Sequence, residues 1–160
     1  MDRVAIKKHI RRYEGCKYKS YTDTEGYRTV AIGFNLDDPG AEATIEALGL
    51  DFDLVHAGKV ALSDGQCDAL LDAALTVAIN DAKSLVSNFD QHPEDVKTVL
   101  VDLSYNLGKF RFAKFKNTLA AFEACDYCAA ARGMAQSTWA TQVGQRATDD
   151  IAIVQAHCGV

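Results

Sequence analysis

Glu14, Asp23 and Thr29 are the residues whose types and spacing point most directly to chemistry. They lie within Tyr13-Glu-Gly-Cys-Lys-Tyr-Lys-Ser-Tyr-Thr-Asp-Thr-Glu-Gly-Tyr-Arg-Thr-Val-Ala-Ile-Gly33. An apolar-periodic helix ends at Glu14-Gly15, the chain then alternates as a strand, turns at Asp23-Thr24-Glu25-Gly26, and returns as Tyr27 to Ile32. That course sets one carboxyl at a helix end, with a second carboxyl and a hydroxyl on a hairpin opposite it. Two carboxyl groups across a gap are what cleavage of a glycosidic bond requires: one donates a proton to the leaving oxygen, and the other activates water or attacks. The proton donor's role suits a partly buried carboxyl. Each residue also has a plainer explanation: a solvated helix-terminal Glu, a turn-forming Asp, and a β-branched strand Thr.

The elements that must position these groups are legible in the periodicity. Val4, Ile6, His9, Ile10 and Tyr13 mark a first helix, and residues 17–34 a β-hairpin. Asp37-Asp-Pro-Gly40 is a turn before a short helix from Ala41 to Leu48, stopped by Gly49. Ser63 and Gln66 form a capping box opening a long helix to about Leu85. Pro93 fits the first turn of the next helix, in which Val96, Val99, Leu100, Leu103 and Leu107 recur at core spacing. Further helices are expected at about 117–123, 127–138 and 145–157. The pattern is α+β: a small N-terminal lobe with a hairpin, a larger helical lobe, the long helix joining them, and a cleft between them as the natural ligand site.

At 160 residues the chain is one domain by length, with no apolar run near the roughly 20 residues that span a bilayer. The charged start Met1-Asp-Arg-Val-Ala-Ile-Lys-Lys is not a secretory signal. Five cysteines leave at least one unpaired, which argues for a reducing compartment. Cys125 and Cys128 form a C-x-x-C, but no second ligand cluster accompanies it, so partly buried thiols are expected there rather than a metal site. Residues 1–34 carry eight Lys/Arg against four Asp/Glu, 35–95 two against thirteen, and 96–122 five against one. With a net charge of −5, only the two basic stretches could steer an anionic substrate.

The Glu14 segment resembles the catalytic signature of the phage-type lysozymes (endolysins, glycoside hydrolase family 24). That signature is Glu, eight residues, Asp, five residues, Thr, then an Ile-Gly-Ile-Gly-like strand, here Val30-Ala-Ile-Gly33. The similarity thins through the middle and returns at Tyr105-Asn-Leu-Gly108, Phe115-Lys-Asn-Thr-Leu119, Trp139 and Gly144-Gln-Arg146. The resemblance implies a single lysozyme domain over 1–160, with lobes at about 14–62 and 63–160 and helix 2–13 packing on the C-terminal lobe. It implies a muramidase that hydrolyses the β-1,4 bond between N-acetylmuramic acid and N-acetylglucosamine in peptidoglycan. Glu14 would be the general acid, Asp23 the carboxylate that activates water, and Thr29 the group that holds this water. Such a reaction inverts, so the carboxyl gap should be about 6.5–9.5 Å. Arg146 would orient Glu14. Gly33 and Asn35 would line the cleft floor, and Tyr105, Asn106 and Thr118 would contact sugar, Asn106 foremost. Trp139 matches a core position.

The same resemblance implies no metal or cofactor, a monomer whose partner is the peptidoglycan glycan strand, no nucleic acid and no stable membrane insertion. It also implies residence in a host bacterial cytoplasm before release to the wall, or carriage in a virion. Two departures stand out. Phe34 and Ala74 replace a His and acid pair that many relatives have, and Gly133 stands where some have Asn. The rival reading is a catalytically inactive peptidoglycan-binding module on the same scaffold, since fold does not guarantee activity. Lys109-Phe-Arg-Phe-Ala-Lys-Phe-Lys116 could also stack on nucleic acid or settle on an anionic membrane. Its brevity favours a loop with packed phenylalanines.

Overall fold

A computed structural model describes residues 1–159. Ten α-helices and one three-stranded antiparallel sheet make the α+β architecture expected from the periodicity. The chain forms two compact units, one of Ile10–Ala74 and one of Met1–His9 with Leu75–Val160.

The hairpin unit begins at the end of α1 (Arg3–Glu14), where Gly15 turns the chain with a left-handed φ of 67°. Strands β1 (Lys17–Thr22), β2 (Arg28–Ala31) and β3 (Phe34–Asn35) follow in the order β1-β2-β3, Tyr21 opposite Thr29 and Thr29 opposite Asn35. The third strand extends the expected hairpin: Gly33, at φ 81°, reverses the chain so that Asn35 pairs back onto β2. Helices α2 (Ala41–Ala47) and α3 (Phe52–His56) cover the sheet; α3 is announced only by Asp51, whose carboxylate accepts the Leu54 N–H. Val30, Ala31, Leu36, Ile45, Val55, Leu62, Cys67 and Leu70 form this unit's core, with Phe34 and Cys16 packed against it. Phe34 thus lies against apolar side chains.

Helix α4 (Asp64–Leu85) opens on the expected capping box. The Ser63 N–H donates to Gln66 Oε1 at 2.8 Å, and the Gln66 N–H donates to Ser63 Oγ at 3.2 Å.

In the helical unit, α5 (Glu94–Leu107) starts after Pro93 and buries Val96, Val99, Leu100, Val101 and Leu103. Around it stand α6 (Lys109–Phe112), α7 (Lys116–Glu123), α8 (Tyr127–Ala135), α9 (Thr138–Val143) and α10 (Gln145–Gln155). The expected single helix over 127–138 is two helices, because Ser137 caps α9 by accepting the Ala140 N–H. Helix α10 packs on α5, α8 and α9. The packing of α10 on α8 corrects the cysteine reading: Cys128 and Cys158 are joined by a disulfide, with Cα atoms 5.0 Å apart, while Cys125 is exposed. Of the thiols expected at Cys125 and Cys128, that of Cys128 is instead bonded to a residue 30 positions away.

Candidate active site

Asp23, Thr29, Gly33 and Asn35 are brought together by the sheet of the hairpin unit. The turn after β1 wraps around Asp23. Its Oδ1 accepts the backbone N–H groups of Glu25 and Tyr27, both at 2.9 Å, and its Oδ2 accepts the Thr29 hydroxyl at 3.1 Å. The Tyr27 N–H foremost holds the Asp23 carboxyl below the ordinary carboxylate range; burial, the next-largest effect, opposes it, and the Glu25 N–H and the Thr29 hydroxyl add to the lowering. Asp23 is therefore both the turn-forming residue and an anion fixed in direction. Thr29 is buried, and its hydroxyl is held by Asp23.

Glu14 is the last residue of α1, just before the Gly15 turn, and is exposed. Tyr21 reports on both carboxyls. Burial, then the charges of Asp23 and Glu14, raise its phenol above the ordinary value, so both groups lie within electrostatic reach of one ring. Lys17 covers that ring at 4.1 Å from its centre. Sequence reasoning passed over Tyr21; its alternation on β1, two residues before Asp23, was the available signal.

The hairpin is anchored from behind. Arg28 donates through Nε and Nη2 to the His56 carbonyl at 3.0 and 2.7 Å, and through Nη2 to Ser20 Oγ. Asp37 accepts the Arg28 N–H at 2.7 Å and bonds His56 Nε2 at 2.8 Å. Asn35 is likewise committed, donating to Asp38 at 3.0 Å and accepting the Asp37 N–H at 2.9 Å. It shapes the turn after β3 before it can serve a ligand. Gly33 is exposed, and a Cβ there would meet nothing, so its role is conformational.

The remaining sequence candidates belong to the helical unit. Asn106 accepts the Trp139 indole N–H through Oδ1 at 2.8 Å, leaving its amide NH₂ as the group for a ligand. Trp139 is buried, as expected for a core position. Tyr105 is half-buried on the same turn of α5. Thr118 is buried at the floor of a groove of about 340 Å³ lined by Lys114, Phe115, Lys116, Asn117, Gly133, Gln136 and Ser137. A Cβ on Gly133 would stand 2.3 Å from Thr118 Oγ1, so Thr118 occupies the space that a side chain at 133 would need.

Arg146, 4% exposed, donates from Nε and Nη2 to the two oxygens of the fully buried Asp102 at 2.8 and 2.7 Å. Beside this pair His9 Nε2 lies 2.8 Å from Asp150 Oδ1. His9, Asp102 and Asp150 could by distance share a metal, their donor atoms lying within 4.8 Å of one another. Arg146 already occupies both Asp102 oxygens, which makes the cluster an ion-pair network.

A turn-wrapped, anionic Asp23 with a hydroxyl on its second oxygen, and a second carboxyl within reach of the same tyrosine, can polarise a water and supply a proton. The chain is 26% identical over 159 residues to "Probable T4-type lysozyme 2" of Dictyostelium discoideum, covering 94% of each chain. It is 26% identical over 160 residues to "Probable T4-type lysozyme 1" of the same organism, again covering 94% of each. A model of the phage lysozyme family matches residues 11–151, the stretch that begins just before Glu14 and runs past Arg146, and the chain belongs to that family.

Proposed function

We propose that this protein is a muramidase, hydrolysing the β-1,4 bond between N-acetylmuramic acid and N-acetylglucosamine in peptidoglycan with inversion. The observation that carries the reading is Asp23, an anionic carboxylate fixed by two backbone N–H groups and by the Thr29 hydroxyl. In this reading Glu14 protonates the glycosidic oxygen as the C–O bond breaks. Asp23 takes the proton from a water attacking the opposite face of the sugar, and Thr29 holds that water. A depressed Asp23 suits a base, which must be ionised at the working pH. Asn106, through its free amide NH₂, with Tyr105, Thr118 and Asn35, contacts the glycan, and Gly33 permits the turn that places Asn35. Arg146 is a positioning group for Glu14, its guanidinium held in one orientation by Asp102. The enzyme works as a monomer without metal or cofactor. It acts in phage lysis or wall penetration, waiting in the host cytoplasm or carried in the virion.

Clearing of purified peptidoglycan by wild type, Glu14→Gln and Asp23→Asn tests the assignment. Both variants should lose about 10²–10⁴-fold in rate, the usual contribution of a positioned acid or base. Wild type should release new N-acetylmuramic acid reducing ends of inverted configuration. Wall binding without release would make the protein a binding module instead, and clearing by Glu14→Gln would remove Glu14 from the mechanism.

A further inference from the structure

The turn between α5 and α7 carries, at Lys109, Phe110 and Arg111, exposed side chains to which the proposed hydrolysis gives no role; Lys114 and Lys116 beside them also line the Thr118 groove. No Asp or Glu occurs between Asp102 and Glu123, while Lys109, Arg111, Lys114 and Lys116 all do, in a chain of net charge −5. The bracketing acids are occupied: Asp102 holds Arg146, and Glu123 accepts the Ser87 hydroxyl at 2.8 Å and the Ser87 N–H. All four cations are exposed, and none pairs with an acid among the described residues. In their midst Phe110 is 87% exposed, the most exposed large apolar side chain among the described residues. The expected loop of packed phenylalanines is thus only partly realised. Phe112 is fully buried and anchors the short helix α6, on which Lys109, Phe110 and Arg111 are exposed.

Four cations around one projecting ring select among partners. A neutral glycan would leave the cations unmatched. A nucleic acid strand would meet phosphates but find a single exposed ring, where stacking proteins offer several. An anionic wall polymer would match the charge and leave Phe110 in water. A bilayer of anionic lipid satisfies both, with phosphates at the level of the Lys and Arg heads and acyl chains just beneath for the ring. We propose that Lys109–Lys116 is a peripheral docking site for an anionic lipid surface, with Phe110 inserted at the headgroup boundary and the cations on the phosphates. No helix among the described residues is long and apolar enough to cross a membrane, so this is surface attachment.

Co-sedimentation of the full-length protein with phosphatidylcholine vesicles, and with vesicles containing phosphatidylglycerol, tests it. Binding should require phosphatidylglycerol, weaken with salt, and fall about fivefold for each of Lys109→Gln and Arg111→Gln. Phe110→Ser should weaken it by about tenfold at unchanged charge. Phe110→Trp should be quenched by brominated acyl chains, which the buried Trp139 of the wild type should escape. Phe110→Ser is made at an exposed site and should leave the far-ultraviolet circular dichroism unchanged. Absence of binding at low salt, equal binding by Phe110→Ser, or binding to sacculi or a DNA oligonucleotide in preference to vesicles would overturn the proposal. Wall clearing in solution is indifferent to each of these results, so the muramidase assignment stands or falls separately.

Discussion

Asp23 in the hairpin unit and Asp150 in the helical unit are both hydrogen-bonded carboxyls, and their surroundings push them in opposite directions. Asp23 stands at a turn where backbone N–H groups point at it, and its carboxyl is held below the ordinary range. Asp150 is fully buried. Burial first, and then the neighbouring Asp102, raise its carboxyl to about 7 despite the opposing His9. Burial alone would lower His9, but its hydrogen bond to Asp150 and the charges of Asp150 and Asp102 win, so its net shift is upward. Donors supplied by the backbone at a solvated turn make an anion ready for chemistry. A carboxyl pressed against another carboxyl in the interior holds its proton more tightly than an ordinary one.

The sharpest way to break that contrast is to remove Asp102. Asp102→Ala takes the two-pronged carboxylate contact from the buried Arg146 guanidinium and should cost about 3–5 kcal/mol in urea unfolding. A cost below about 1 kcal/mol would mean that the network is solvated after all. Separating Cys128 and Cys158 by the double serine variant should cost about 3–4 kcal/mol, from the 30-residue span the bond closes. Comparing the two variants shows whether charge pairing or the cross-link does more for the helical unit.

The pH dependence should carry the contrast next. His9 and Asp150 bind protons more tightly in the folded state. The stabilisation from Asp150 is therefore full below about pH 4 and is lost as pH rises from there to about 7; that from His9 is full below about pH 6.5 and is lost as pH rises above it. The slope is at most about 1.4 kcal/mol per pH unit for each proton. Asp150→Asn should flatten it. Asp23 and Asp37 act in the opposite sense: both are depressed, so their stabilisation is present above the ordinary carboxylate range and is lost as pH falls below it. Urea midpoints measured from pH 4 to 9 for wild type and Asp150→Asn test both signs. The smallest effect expected is on the activity profile. Thr29→Ala removes one of the bonds that depress Asp23, so the acid limb should move to higher pH by a fraction of a unit, beyond any loss of rate.

The chain's local order was largely written in its sequence. Ser63 and Gln66 cap α4 reciprocally because both partners lie within one turn, and the Glu14, Asp23 and Thr29 spacing needed only a helix end and a hairpin to acquire its meaning. Gly33 announced a reversal, though the strand it feeds, β3, is too short to alternate visibly. Periodicity likewise ran through 127–138, where the Ser137 cap breaks the helix.

What escaped the sequence depends on distant residues meeting. The Cys128–Cys158 bond, the Arg146–Asp102 pair across 44 positions and the His9–Asp150 pair across 141 arise from helix packing that no local pattern encodes. Residue types fixed which groups could ionise, pair or cross-link. Tertiary structure decided which did so, because burial and a neighbouring charge exist only once the chain has folded.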